Sequence, residues 1–141
     1  MQHTFYSQQI AHFLDRLQFE DAAFLAERYV AESQSPHAFF LLTKSLFLSG
    51  QIRLAYNILK HELGASNLFK HFDSLYLFGL CCVKMTKCDE AIEVFQKCLD
   101  LVELKGDASI SNQQISSVYS SLAGVYKYRS SFLLLRVTLV D

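Results

Sequence analysis

The sequence predicts an all-α fold in which short helices pair into hairpins and the hairpins stack as a solenoid. Apolar residues recur at intervals of three and four along almost the whole chain, which is the spacing of one face of a helix. Small residues recur at a longer, near-constant interval, which indicates an internal repeat. Of the 141 residues, 51% are hydrophobic and 19% are charged, with one proline and five glycines, a composition typical of an ordered globular protein.

The apolar spacing predicts eight helices in succession. The first carries Phe5, Ile10 and Phe13 on one face, and Pro36 falls in the first turn of the third, where its missing N–H is harmless. The last segment is apolar and β-branched, so it also fits a strand. A polar, glycine-containing loop is expected at 105–112. The helices are expected at about 2–17, 20–33, 37–48, 52–63, 69–85, 89–103, 113–128 and 131–140.

The internal repeat follows the tetratricopeptide pattern. This pattern has a bulky residue, a leucine, a small residue and an aromatic in the first helix, then an alanine in the second helix. Ala22, Ala55 and Ala91 occupy the alanine position at intervals of 33 and 36 residues. In a fourth, partial match, Leu135 replaces the alanine, 44 residues after Ala91. The sequence therefore predicts an α-solenoid of about three and a half repeats in a single domain, residues 1–141, with repeats at about 3–35, 36–71, 72–115 and 116–141.

Small side chains are expected where the two helices of a hairpin cross, since a large side chain there would force the helix axes apart. Gly50 is expected to end a first helix, because glycine adopts the left-handed conformation without strain. The residues predicted at helix crossings are Ala22, Ala55, Gly79, Ala91 and Ala123.

The inner face of the solenoid is predicted to be a groove that is apolar in its middle and polar towards its C-terminal end. Several large apolar groups left in water there would favour aggregation. We expect another polypeptide helix to cover them, from a second copy or a different protein; the alternative is that a tightly twisted solenoid brings them into contact with one another. The groove positions are Thr4, Ser7, Ala11 and Leu14, then His37, Phe40, Lys44 and Phe47, then Asp73, Tyr76, Leu80 and Val83, then Ser117, Ser120, Gly124 and Lys127.

Charge and cysteine usage exclude several classes of function. The net charge is −1, and no run of Lys or Arg provides the basic stripe that nucleic-acid binding needs. No apolar segment reaches the roughly 18 residues of a membrane span. The N-terminus lacks the pattern of a signal peptide, so we expect an intracellular protein with reduced thiols. The four cysteines have no zinc-site spacing and are expected to be buried apolar residues: Cys81, Cys82, Cys88 and Cys98.

Catalytic motifs are missing from the sequence. His61-Glu62 begins like a zinc-protease helix but lacks the second histidine four residues after the first. No glycine-rich phosphate loop is present, and no set of polar groups is spaced to converge on a substrate. We therefore expect no enzymatic activity, no cofactor, no metal ion and no small-molecule substrate.

Several segments together resemble a known family. They are DAAFLAERYVAE at 21–32, AFFLL at 38–42, SGQ at 49–51, AY at 55–56, LK at 59–60 and CCV at 81–83. Over about residues 5–100 they resemble the N-terminal region of the BimA-like tetratricopeptide scaffold subunits of the anaphase-promoting complex. The resemblance implies a nuclear, non-catalytic scaffold in a ubiquitin ligase that controls mitosis and cell division, with other subunits of the complex as partners. It also implies that the N-terminal repeats pair two copies into a homodimer.

This implied dimer agrees with the groove prediction, because interlocked copies would bury both apolar sets in an isologous contact. Helices carrying Phe5, Phe13 and Leu14 would enter the groove of the partner. The groove side of the interface is expected to consist of Phe40, Lys44, Phe47, Tyr76, Leu80 and Val83. Lys44 is the one basic residue in the apolar part, which disfavours a clamp for C-terminal carboxylates. The alternative function is a monomeric adaptor that binds a peptide or an amphipathic helix of an unrelated partner.

Overall fold

The computed structural model describes residues 2–65, 71–105 and 110–140, with side chains at 4–63, 71–104 and 110–131. In these residues all regular secondary structure is helical. The helices are α1 (Gln2–Asp15), α2 (Phe19–Ser33), α3 (Pro36–Leu48), α4 (Ile52–Ala65), α5 (Phe72–Lys84), α6 (Cys88–Lys105) and α7 (Asn112–Val140).

The helices are arranged as three hairpins followed by a single helix. α1 packs on α2, α3 on α4 and α5 on α6, and the second helix of each hairpin also packs against the first helix that follows it. α3 lies beside α5, and α5 beside α7, so the first helices form a common inner wall. The predicted all-α tetratricopeptide solenoid is confirmed.

The C-terminal part of the chain differs from the prediction. Instead of two helices at 113–128 and 131–140, α7 is one continuous helix of 29 residues, and neither the break near 129–130 nor the strand alternative is correct. The sequence at the expected break is Arg-Ser-Ser, without the glycine, proline or asparagine that commonly ends a helix. Of the predicted loop, residues 106–109 lie outside the described residues.

The three hairpin turns have the same backbone conformation. Leu17, Gly50 and Thr86 have φ angles of 61°, 90° and 59°, and they are 33 and 36 residues apart, like the alanines. The next residue closes each turn with a backbone N–H to O bond to the preceding helix: Gln18 to Phe13 (2.8 Å), Gln51 to Leu46 (2.9 Å) and Lys87 to Cys82 (2.8 Å). The left-handed conformation expected of Gly50 therefore also occurs at two non-glycine residues, where it costs about 1–2 kcal/mol.

The small residues differ in their surroundings. Ala22, Ala55 and Ala91 are fully buried. Gly79 faces the ring of the fully buried Phe95 so closely that a Cβ atom at this position would overlap the ring. Ala123, expected at a fourth crossing, is exposed instead, because α7 continues in one direction and no second helix returns across it.

A polar cluster joins the second and third hairpins. Tyr56, which is 3% exposed, donates its hydroxyl proton to the Glu90 carboxylate at 2.8 Å. Lys60 and Lys87 each donate from Nζ to the same hydroxyl oxygen, at 3.2 and 3.3 Å. The hydrogen bond to Tyr56, followed by the charge of Glu90, raises the pKa of Lys60. Because the hydroxyl of Tyr56 is hydrogen-bonded to all three charged groups, the cluster fixes the register between the second and third hairpins.

Candidate protein-interaction groove

An apolar hollow lies on the inner wall between α3 and α5. Its volume is about 270 Å³. We call it the inner hollow; it is lined by Phe40, Lys44, Phe47, Leu48, Asp73, Tyr76, Leu77 and Leu80.

Helix geometry explains why these side chains share one surface. Phe40, Lys44 and Phe47 follow one another at four and three residues on α3, which places them on one face. Tyr76 and Leu80 are four residues apart on α5, the neighbouring first helix. Stacking one hairpin on the next therefore assembles the hollow from two sequence segments, residues 40–48 and 73–80, that are 25 residues apart.

The aromatic rings of the inner hollow are supported from within the subunit. The Phe40 ring packs edge-on against His71 with centroids 5.8 Å apart, and Lys44 Nζ lies 5.7 Å from the Phe40 centroid. The Tyr76 ring packs on Phe95 at 5.7 Å. Phe40 and Tyr76 are each partly buried. Each ring is thus held in part by contacts within its own subunit, and the rest of it lines the inner hollow.

α7 forms the next part of the inner wall. The Tyr76 hydroxyl lies 3.0 Å from Ser121 Oγ and donates to the carbonyl oxygen of Ser117 at 3.5 Å. Gln114 donates from Nε2 to Asp73 Oδ1 at 2.9 Å. These bonds hold α7 against α5 and fix the orientation of Tyr76. The rim of the inner hollow therefore carries one cation, Lys44, and one hydrogen-bonded carboxylate, Asp73.

The remaining predicted interface residues lie outside the inner hollow. Phe5 on α1 is 57% exposed, and Val83 near the end of α5 is also exposed. Phe13 and Leu14 are half-buried and pack against the core of their own subunit. The structure thus brings together Phe40, Lys44, Phe47, Tyr76 and Leu80 and separates the other four from them.

α1 is fixed to α2 by a stacked pair of tyrosines. The Tyr6 and Tyr29 rings are 5.2 Å apart and nearly parallel, and the Tyr6 hydroxyl donates to Glu32 Oε1 at 2.8 Å. This hydrogen bond to Glu32 raises the pKa of Tyr6. The stacking shows why α1 holds its place. The exposed ring of Phe5, one residue earlier, packs edge-on against Tyr6 with centroids 6.0 Å apart.

Two lining residues of the inner hollow were not predicted. Leu77 lies four residues after Asp73 and three before Leu80, so the spacing could have indicated it. Leu48 is the last residue of α3, and its position depends on where that helix ends, which the apolar pattern alone does not define.

Three buried thiols lie in the third hairpin, on α5 and α6. Burial raises the pKa of Cys81, Cys82 and Cys98 to about 12 in each residue, so these thiols are protonated at neutral pH. Among the described residues, no group of three or more His, Cys, Asp or Glu side chains is placed to hold a metal ion. The chemistry that the inner hollow offers is the burial of an apolar side chain beside the positive charge of Lys44 and the hydrogen-bonded carboxylate of Asp73.

A family model matches most of the region just described. The model is that of the anaphase-promoting complex, cyclosome, subunit 3, and it matches residues 15–98, more than half of the chain. The chain belongs to this family. Every residue that lines the inner hollow lies within the matched segment.

The relatives of this subunit 3 family that match the chain are much longer. Cell division cycle protein 27 homologs of Homo sapiens and Mus musculus are each 36% identical to it over 81 residues, which is 57% of this chain and 9% of the relative. The predicted resemblance is confirmed, and the chain corresponds to about a tenth of the length of these relatives.

Solved structures with the same fold include two crystal structures of MamA. One superimposes with a TM-score of 0.59 at 22% identity, covering 87% of this chain and 67% of MamA. The other has a TM-score of 0.58 at 18% identity, covering 88% of this chain and 78% of MamA. These similarities support the solenoid fold alone. In the described part of the chain, no helix is long and apolar enough to cross a membrane.

Proposed function

We propose that this chain is a non-catalytic scaffold of the anaphase-promoting complex and that its repeats pair two copies into a homodimer. Membership of the subunit 3 family supports the assignment to this ubiquitin ligase, whose other subunits are then the further partners. A nuclear location and a role in mitosis follow from the same assignment. Ubiquitin transfer belongs to other subunits in this proposal.

The inner hollow is the observation that carries the dimer. It is apolar over most of its surface, and it lies within the segment that matches the family. Covering one large apolar side chain is worth about 1.5–3 kcal/mol relative to leaving it in water. An isologous dimer fills the inner hollows of both subunits at once, so this gain in free energy applies to each of the two hollows.

Phe5 is the residue best placed to fill the inner hollow of a partner. It lies on the first helix and is 57% exposed, and the edge contact with Tyr6 at 6.0 Å leaves most of its ring open. Phe13 and Leu14 are already half-covered by their own core and would contribute only their exposed edges. The three predicted α1 residues are therefore expected to contribute unequally.

Light scattering on the purified chain tests the dimer. The double variant Phe40→Glu/Phe47→Glu places two carboxylates in the inner hollow and should lower the native mass at micromolar concentration by a factor of at least two. Phe24→Glu is the matched control, because Phe24 is an exposed aromatic on α2, outside the hollow, and this change should leave the mass unaltered.

Phe5→Glu serves as a second variant in case the double change perturbs folding. The exposed ring of Phe5 contributes little to the core, so far-ultraviolet circular dichroism should stay unchanged while the native mass falls. An unaltered mass in both the Phe5 variant and a folded double variant would refute the dimer.

The half-buried state of Phe13 and Leu14 favours the second candidate, a monomeric adaptor. In this alternative the inner hollow accepts one anchoring side chain of an amphipathic helix from a different protein. Light scattering on the double variant distinguishes the candidates, because the native mass of the scaffold depends on Phe40 and Phe47, whereas that of the adaptor without its ligand does not.

A further inference from the structure

Residues of α7 occupy the same repeat positions as the residues of α5 that lie 44 positions earlier in the sequence. Gly79 corresponds to Ala123, Leu75 to Tyr119 and Cys82 to Tyr126. In α5 this face lies under α6 and is buried. In α7 the same face is open: Tyr119 is 59% exposed, Tyr126 is 51% exposed, and Ala123 is exposed between them. We call Tyr119, Ala123 and Tyr126 the locking face.

The locking face is not covered by a following helix because the chain does not turn after it. Thr86, which turns the third hairpin with a positive φ angle, corresponds to Ser130. Ser130 lies inside α7, which continues to Val140. The segment that should form the second helix of the fourth hairpin, residues 131–140, therefore extends away from the locking face.

The sequence after Ser130 explains why the helix continues. The second helices of the first and third hairpins begin with pairs of acidic residues, Glu20-Asp21 and Asp89-Glu90, which complement the positive end of a new helix dipole. Residues 131–135 are Ser-Phe-Leu-Leu-Leu and carry no acid. α4 also starts without an acid, but Gly50 forms the turn before it. Residues 129–135 contain neither an acid nor a glycine, and leucine favours continuation of the helix.

α7 is also held to the preceding hairpin just before this point. Arg129 Nη1 lies 3.3 Å from Asp89 Oδ1, at the beginning of α6. Tyr128 and Arg129 line a hollow of about 540 Å³ together with the turn and first residues of α6. The part of α7 that carries the locking face is thus fixed to the solenoid, and the segment after Ser130 is the part that extends beyond it.

We propose that two copies of this chain exchange their α7 ends. In this arrangement, residues 131–140 of one copy lie antiparallel across the locking face of the other, in the place that α6 occupies on α5. On α5 the small Gly79 lies under Phe95 of α6. The register makes Leu135 and Leu139 the counterparts of Ala91 and Phe95, so large residues of the exchanged segment meet the small Ala123. α7 cannot cover itself, since residues 123 and 135 of a straight helix are about 18 Å apart.

Exchange of identical elements is a low-cost route to a dimer, because it reuses contacts that a closed hairpin would make. The locking face lies on α7, whereas the proposed scaffold interface uses the inner hollow between α3 and α5. The exchange is therefore independent of the proposed function, and either interface can fail while the other stands.

Disulfide trapping tests the exchange. Ala123→Cys/Leu135→Cys is prepared with Cys88→Ser, since the other three native thiols are buried. A disulfide requires Cα atoms within about 7 Å, a separation that the straight helix prevents within one chain. After mild oxidation we expect a covalent dimer on a non-reducing gel, and the same dimer when Phe40→Glu/Phe47→Glu is added to remove the other interface.

Gly124→Cys/Leu135→Cys, also with Cys88→Ser, is the matched control. Gly124 is exposed like Ala123 but is rotated by about 100° around the helix, away from the locking face. This pair should give at most a tenth of the covalent dimer. A disulfide within one chain would show a closed hairpin and overturn the exchange. Thiols that stay reduced, or equal dimer from the control, would overturn it as well.

Discussion

α5 and α7 occupy equivalent places in the repeat, but the face that is buried on α5 is open on α7. Gly79 lies against the Phe95 ring, with no room for a methyl group. Its counterpart in α7, Ala123, is exposed. The adjacent Gly124 has no atom within 4 Å of an added Cβ beyond its chain neighbours and its own helix backbone. The comparison shows that the repeat pattern assigns residues to a helix face, while burial of that face depends on whether a neighbouring helix arrives.

The largest effect that this comparison predicts is at the two glycines. Gly79→Leu should lower the free energy of unfolding by about 3 kcal/mol or more, because the added side chain must displace the fully buried Phe95 ring. Gly124→Leu should instead raise it by up to about 1 kcal/mol through helix propensity alone. Urea denaturation followed by circular dichroism measures both values, and a similar loss in both variants would contradict the comparison.

A smaller effect is expected from two tyrosines. Tyr56→Phe removes the hydroxyl that Glu90, Lys60 and Lys87 share, and should cost about 1–2 kcal/mol of unfolding free energy. Tyr126→Phe, on the exposed face of α7, should change it by less than about 0.5 kcal/mol. Chemical denaturation of the two variants side by side is the measurement; equal effects would mean that the polar cluster does not join the hairpins.

The turn residues should respond in opposite directions. Thr86→Gly relieves a left-handed conformation and should stabilise the fold by roughly 1 kcal/mol, whereas Gly50→Ala introduces the same strain and should destabilise it by a similar amount. The expected loss of stability in Gly50→Ala comes from backbone strain and not from a steric clash, because nothing lies within 4 Å of the position that the added Cβ atom would take. Thermal unfolding of both variants measures the direction of the change in stability. A Thr86→Gly variant that is less stable than the unmodified protein would contradict this account of the turns.

The smallest effect near neutral pH is expected from the buried thiols. Because burial raises the pKa of Cys81, Cys82 and Cys98 from 9.0 to about 12, the folded state keeps its thiol protons where the unfolded chain loses them. Their contribution to stability is complete below pH 9 and is lost as the pH rises from 9 to about 12. Urea titrations across this range measure it.

Thiol labelling provides an independent check of the same thiols. In the folded protein at neutral pH, one cysteine, the half-buried Cys88, should react with a thiol reagent, and the other three should react only after unfolding. Rapid labelling of all four in the native state would show that the third hairpin opens readily.

Sequence periodicity was sufficient to predict the solenoid because the signals that it needs are local. Alanines at 33 and 36 residues locate the second helices, and the apolar intervals locate the first ones. The turns at Leu17 and Thr86 were not predicted, since neither residue prefers a positive φ angle and only the repeat register imposes it. α7 is continuous because no glycine, proline or asparagine ends the helix near residues 129–130. The repeat pattern nevertheless predicted a break there, because it places a turn at that position.

The inner hollow was predicted only in part for a physical reason. Phe40, Lys44, Phe47, Tyr76 and Leu80 belong to first helices in the middle of the stack, where neighbours on both sides fix the inner face. Within the described residues, α1 has a neighbouring hairpin on one side only. Phe13 and Leu14 consequently turn towards their own core, a choice that helical spacing alone does not determine.

Sedimentation equilibrium of the unmodified chain, from nanomolar to micromolar concentration, tests most directly whether the open apolar faces of this solenoid are covered by another copy. We expect an average mass that rises from the 16.1 kDa of one chain to at least twice that value. A mass that stays at 16.1 kDa across the whole range would contradict the account and favour a monomeric adaptor.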